Sequence, residues 1–422
     1  MSALSCRRLI SCVGVALVFV VLSSTGMDAQ TDVTFTKDVA PILQQKCEGC
    51  HRAGQMAPMP LATYEEVRPW ARLIKSKVVT RKMPPWHIDK TVGIQRFVND
   101  ISLSDSQIDT IVRWVDSGAP RGDLAALPPP REWPSGERWR LGDLLGRPPD
   151  HLVRSESWTQ PAEGADQWWQ PVVDSGLTEE RWIRAVEVRP TLKGRQIVHH
   201  GNARELVEYA VGKPGQIYSK NTGQRMRAGM RVRFDIHYHS VGEEITDFLT
   251  VGLWFYPKGE VPKYEVKHAR MGSSMDLDIP PGTVTKHQGF FPLPKPTKLL
   301  SYQPHMHIRG KAMSIEAVYP DGAVEMLSHV DDFNFNWHIN YVYEEDAAPL
   351  LPKGTLVRVS AWHDNTSSNR ANPDPTQWVG WGQRSYDEMY HAHVWYVELT
   401  DEDYEQLTKE RARSTQSRES AP

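Results

Sequence analysis

Apolar positions along the chain follow two regimes, and the change falls near residue 119. Before it they recur at helical spacing. Thr36 to Gln45 carries Val39, Ile42 and Leu43 on one side, and Tyr64 to Thr80 reads as a second helix. Ile108, Ile111, Val112 and Val115 set a third over Asp105 to Ser117, with Ser104 as candidate N-cap and Gly118 as candidate stop. After Gly118-Ala119-Pro120 comes a stiff linker-like stretch, Leu127-Pro128-Pro129-Pro130. Beyond it helical periodicity fades. Short runs rich in β-branched and aromatic residues alternate with Gly and Pro turns: Trp182 to Val188, Leu206 to Val211, Met230 to His239, Leu249 to Tyr256, Met313 to Val318, Thr355 to Trp362 and Val394 to Glu398. Many short strands at this spacing imply sandwiches or jelly rolls.

The pattern predicts a multidomain chain, a small all-α domain followed by two all-β jelly-roll sandwich domains. The expected boundaries are 1–29 for a leader, 30–128 for the helical unit, 129–260 for the linker and first sandwich, 261–402 for the second sandwich and 403–422 for a polar, disordered tail. The border between the sandwiches is placed near Lys258 to Pro262.

A length of 422 residues agrees with two or three cores. The net charge of -3 gives no basic surface for nucleic acid, so a general nucleic-acid binder is not expected. Arg7 and Arg8, an apolar run from Leu9 to Leu22 and small residues up to Ala29 read as a secretory signal peptide. The rival is a retained anchor, but the run is short for a spanning helix. The protein is therefore expected to be periplasmic or otherwise exported, with no stable transmembrane anchor. Cys6 and Cys12 lie inside the leader, which leaves Cys47 and Cys50 alone in the mature chain. No disulfide framework is possible there.

Those two cysteines stand in Cys47-Glu48-Gly49-Cys50-His51. C-x-x-C-H is the spacing of covalent haem c attachment: two thiols take the vinyl groups and the next residue offers an imidazole to iron. A redox dithiol or a zinc half-site are the alternatives, and zinc would need a second Cys or His pair at matching spacing. The sixth ligand is sought in Arg81-Lys82-Met83-Pro84-Pro85-Trp86, where prolines can hold the Met83 thioether rigidly. Met56, Met59 and His87 are its rivals. The segment resembles c-type cytochromes in which a Met-Pro-Pro loop supplies the axial methionine.

Sixteen histidines and thirteen methionines suit copper. Three clusters stand out: His199-His200, His237-Tyr238-His239 and His305-Met306-His307. Alternate residues on a strand face the same way, so His305 and His307 can meet one metal. Adjacent His199 and His200 can do so only where the backbone is irregular.

Residues 180 to 400 resemble the type II copper, ascorbate-dependent monooxygenases, the family of the peptidylglycine and dopamine enzymes. The resemblance implies two coppers. His199, His200 and His237 match the three-histidine electron-transfer site. His305 and His307, followed by Gly310-Lys311, match the H-x-H of the oxygen-binding site, and Met389 within Ser385-Tyr386-Asp387-Glu388-Met389 matches its methionine. The implied reaction is hydroxylation of a C–H bond of a small-molecule substrate with O2, with His305, His307 and Met389 as the catalytic set. Tyr302, Gln303, His329, His338, Tyr390, His391 and His393 are candidates to line the site, and Asp387 and Glu388 to orient ligands.

The departures are specific. The mature chain lacks the animal enzymes' disulfides. Gln303 stands where the peptide-amidating member has an arginine, and His391 and His393 stand where it has Asn and Tyr. A C-terminal glycine peptide is therefore not the expected substrate. The animal enzymes carry no covalent haem; here one haem would take electrons from an external donor and pass them to the coppers. Two other classes stay open, a copper- and haem-containing electron-transfer protein without oxygenase activity, and a binding module with degenerate sites.

Overall fold

A computed structural model describes residues 33–53, 57–133, 139–210, 213, 215–273 and 275–419. The leader with Cys6 and Cys12, and Met56, lie outside the described residues. No helix among the described residues is long and apolar enough to cross a membrane.

The N-terminal helices fall where the apolar spacing put them, but in short pieces. A π-turn over Phe35–Val39 runs into Ala40–Lys46. The second helix is split: Tyr64–Val67, a 3-10 turn at Arg68–Trp70 and Ala71–Val79. Pro69 forces the break, because it has no N–H to give to the preceding turn. Asp105–Asp116 is capped reciprocally, Ser104 Oγ accepting from Gln107 N (3.2 Å) and Gln107 Oε1 accepting from Ser104 N (3.0 Å). Gly118 ends it with φ +94°. Leu43, Val67, Ile74, Ile111 and Trp114 close a small core.

The rest is β. The strands used below are β1 (His151–Arg154), β2 (Arg181–Arg189), β3 (Val198–Ala203), β4 (Val207–Ala210), β5 (Thr222–Met226), β6 (Arg231–Tyr238) and β7 (Thr250–Phe255). Then follow β8 (Tyr264–Met271), β9 (Val284–Pro292), β10 (Thr297–Met306), β11 (Gly310–Val318), β12 (Val324–Val330), β13 (Leu356–Asp364) and β14 (Tyr390–Glu398). A ten-stranded sheet runs β1-β7-β2-β5-β8-β14-β10 and ends on Tyr341–Val342. Its first half packs against a sheet containing β6, β3 and β4, around Ile183, Val186, Phe234, Ile236 and Leu253. Its second half packs against β9-β13-β11-β12, around Leu299, Tyr302, Ile315, Val359 and Val394.

The expected fold class needs correcting. The chain is mostly sheet, 35% strand against 18% helix, with no separate small all-α cytochrome domain. The helical segment has a small core of its own but is interrupted in the middle. The chain leaves it at Trp86, and Trp86, Ile88 and Phe97 enter the second β core beside Tyr341 and Tyr343. Ile88 bridges to Val330 and Phe97 to Tyr343. Trp86 meets Tyr341 edge-on at 4.8 Å, and Phe97 stacks on Tyr343 at 5.4 Å. Nor are the sandwiches independent. β5 and β8 pair in parallel across the expected border, Tyr264 opposite Thr222, so one sheet serves both cores. Asp401–Glu419 is helical, with Tyr404 and Leu407, three residues apart, packed on the first β core.

Candidate metal centres

His199 and His200 lie on β3, His237 on β6, and these strands pair antiparallel with His200 opposite His237. The register then slips, Tyr238 meeting Val198, so His199 is the extra residue of a bulge. A bulge re-aims one side chain relative to the pleat, and this supplies the irregularity that two adjacent ligands require. Ligand atoms of His199, His200 and His237 all lie within 4.8 Å of one another. His237 Nε2 sits 2.8 Å from Asp166 Oδ2. That contact orients the ring, as a carboxylate does behind a metal-bound histidine. It leaves Nδ1, which is buried and has no hydrogen-bond partner, as does Nδ1 of His199. Trp168 stacks on His237 at 4.4 Å and 5°. Burial, then the nearby His237 and His338, pushes His199 down to about 4. Burial likewise holds His200 well below the usual histidine range. These imidazoles are neutral at pH 7, the form that binds metal.

The second group forms where β10 ends. His305 Nε2 lies 3.2 Å from Met389 Sδ. His307 follows in the turn to β11, its ring 5.5 Å from that of His305. His307 Nδ1 is 3.1 Å from the Asp387 carbonyl, so Nδ1–H donates and Nε2 is left as the free lone pair. Glu388, fully buried, braces this turn: its carboxylate oxygens accept from His307 N (2.9 Å) and Arg309 N (2.6 Å). Burial pushes the Glu388 carboxyl up to about 8.

His338 joins the two groups. Its ring lies 5.7 Å from His200 and 5.3 Å from His305, and both of its ring nitrogens are buried without a hydrogen-bond partner. Phe335 fills the adjoining space, 5.6 Å from His199 and 5.9 Å from His307. Behind them, Lys213 Nζ reaches Glu208 Oε2 (3.1 Å) and Gln303 Oε1 (2.9 Å), and Gln303 Nε2 donates to Glu208 at 2.6 Å. Burial works against the Glu208 charge, yet Lys213, His338 and the Gln303 amide hold its carboxyl down at about 2.

At the N-terminal motif, Cys47 caps the helix Ala40–Lys46, and His51 N donates to Cys47 O at 2.9 Å. Both thiols are half-buried and unpaired with each other. Burial pushes Cys47 up to about 12 and raises Cys50. His51 Nδ1 is 3.1 Å from the Met59 carbonyl, which leaves Nε2 as the nitrogen that would meet a metal. These three residues fit the anchor points of a covalent haem. Met83 lies apart from them. It lines a cavity of about 30 Å³ with Val78, Trp86, Ile88, Leu103 and Ile108, far smaller than a macrocycle. His87 is buried, its backbone N–H on the Tyr341 hydroxyl at 3.3 Å.

The other candidates divide. Tyr302 is a core residue, its hydroxyl donating to Met313 O at 3.0 Å. His329 packs on Trp362 at 5.7 Å. Asn365 is buried and its Oδ1 accepts from Arg309 Nε at 2.9 Å. Asp166 and His268 were not legible as site residues, since neither sits in a spaced motif; pairing across strands is their only signal.

No family profile and no curated protein matches the chain. Among solved structures it is similar to the infectious bursal disease virus VP2 subviral particle, with a TM-score of 0.19 and 9% identity over 61% of this chain and 75% of that one. A likeness so slight bears on neither fold nor function.

Proposed function

We propose that this chain is an exported copper monooxygenase of the type II, ascorbate-dependent kind, with a covalent haem as its electron entry. The observation that carries the reading is convergence. The ligand atoms of His199, His200 and His237 lie within 4.8 Å of one another, and His305 has Met389 and His307 beside it, although these residues come from segments spread over nearly 200 positions. Three imidazoles suit a copper that cycles between Cu(I) and Cu(II), and a thioether beside two imidazoles favours Cu(I), the state that takes up O2. Haem at Cys47, Cys50 and His51 would supply electrons from an external donor.

The protein's part is positional. Asp166 fixes the His237 tautomer, Asp387 fixes that of His307, and Glu388 holds the turn that carries it. Phe335 and His338 occupy the space between the two groups, which keeps bulk water from it. The substrate is a small molecule that presents a C–H bond near Met389.

That same filling favours one second reading, an electron carrier with copper and haem but no oxygenation, because Phe335 and His338 leave little room between the sites. Metal analysis and oxygen uptake separate the two. At least two coppers and about one iron per chain, with O2 uptake by the reduced protein that depends on a small C–H substrate, support the monooxygenase. Full loading without substrate-dependent uptake overturns it in favour of the carrier.

A further inference from the structure

β14 carries two histidines on one face, His391 and His393, because residues two apart on a strand point the same way. Antiparallel pairing sets His391 directly opposite His305 on β10. On the other side β8 pairs with β14 and brings up His268. The four imidazoles form a continuous row: His305 to His391 at 4.6 Å, His391 to His393 at 4.6 Å and His393 to His268 at 5.1 Å between ring centres. His391 is 4% exposed, and His305 and His393 are half-buried.

The nitrogen geometry is more specific than the row. Ligand atoms of His305, His391 and His393 all lie within 4.8 Å of one another. His391 Nε2 and His393 Nε2 are 3.1 Å apart. Two imidazole nitrogens bound tetrahedrally at 2.0–2.1 Å are separated by about 3.3 Å, so these two are already at coordination spacing. His393 Nδ1 lies 2.9 Å from His268 Nε2. With Nδ1–H donating to His268, the lone pair of His393 is left on Nε2, facing His391. This is the outer contact that orients a metal-bound histidine.

We propose a third metal position, for a divalent transition ion, held by His305, His391 and His393 and oriented by His268. It is separate from the group of His305, His307 and Met389 and shares only His305 with it. Three imidazoles without sulfur make it a harder site than the thioether group, suited to Cu(II) or Zn(II). It also gives a use to the two positions at which this sequence departs most sharply from the peptide-amidating enzyme, His391 and His393. The proposal does not depend on oxygenation; copper serves only as a probe.

The test uses the full chain, equilibrium dialysis against Cu(II), and electron paramagnetic resonance. The double variant His307→Ala, Met389→Ala abolishes the thioether group and is expected to retain about two Cu(II) per chain, one of them with nitrogen-only ligation. Adding His391→Gln and His393→Gln should bring this to about one. Should that variant fail to fold, His268→Ala in the double-variant background keeps all three ligands and frees only His393 Nδ1; it should weaken the second Cu(II) by roughly 10–100-fold. A double variant that binds only one Cu(II), or a second Cu(II) indifferent to His268, overturns the proposal. Neither result touches the monooxygenase reading, which falls only if wild-type protein shows no substrate-dependent oxygen uptake.

Discussion

Replacing Glu388 probes how the second group of ligands is held. The side chain is fully buried, and its two oxygens accept from His307 N at 2.9 Å and Arg309 N at 2.6 Å. Glu388→Ala strands both donors away from water. A buried unsatisfied N–H costs about 1–3 kcal/mol, so the metal-free protein should lose about 3–5 kcal/mol. Glu388→Gln keeps one carbonyl oxygen and turns an amide NH2 toward the other donor, for a loss of about 1–3 kcal/mol at pH 5. The pH dependence is the sharper part. Burial raises the folded carboxyl to about 8, above its ordinary value of 4.5. A group raised in this way contributes its stability fully below the unfolded value and loses it as pH rises through the folded one. The wild type should therefore lose ground to Glu388→Gln between pH 5 and 8.5, by a few kcal/mol at most. Urea denaturation of the metal-free proteins, followed by tryptophan fluorescence, measures this. A gap that widens with pH would mean that Arg309 keeps Glu388 ionised, and the reasoning would fail.

The histidine groups give the opposite slope: burial depresses His199 to about 4 and holds His200, His305, His391 and His393 well below 6.5, so their contribution is complete above 6.5 and is lost as pH falls toward 4. His199 adds up to about 1.4 kcal/mol per pH unit between 6.5 and 4, the other four act in the same direction, and a urea midpoint for metal-free protein that stays level from pH 7.5 to 5 would contradict it. At the N-terminal motif, haem colour should survive acid-acetone extraction; loss of all colour would end the covalent assignment.

Many strand positions were legible because period is a local signal, whereas the grouping of His199 and His200 with His237, and of His305 with Met389, came from a resemblance and not from period. Ser104 was legible as the N-cap of its helix, whereas His307 lies past the end of β10, so strand alternation alone does not set it beside His305. His199 and His200 raised a conflict that only the bulge resolves, since it arises from register with β6. His338 was a lone histidine in a loop, and nothing in its neighbourhood fixes that it falls between two strands ends carrying His200 and His305. The error over the helical unit has a like cause. Trp86, Ile88 and Phe97 have no period, being three anchors on an irregular segment, and their partners lie some 240 residues away. The tail was judged by its polarity, whereas Tyr404 and Leu407 suffice to seat it.

The segment from Trp86 to Asn99 alters what the haem-motif region can do. It is stitched along the edge of the second β core. Asp89 N donates to His329 O (2.8 Å), Ile94 N to Leu327 O (2.8 Å), Val98 N to Val342 O (2.9 Å) and Glu344 N to Arg96 O (3.1 Å). Lys82 pairs with Asp332 and Arg96 with Asp346 at its ends. Three buried anchors at about 1.5–3 kcal/mol each outweigh anything a Pro-rich tether could contribute. The motif is thus built in as a fixed wall of the molecule, rather than a carrier that swings on a leash. Whatever passes between Cys47–His51 and the histidine groups crosses one constant distance, so its rate is set by the medium between them and is insensitive to the length or stiffness of residues 119–132.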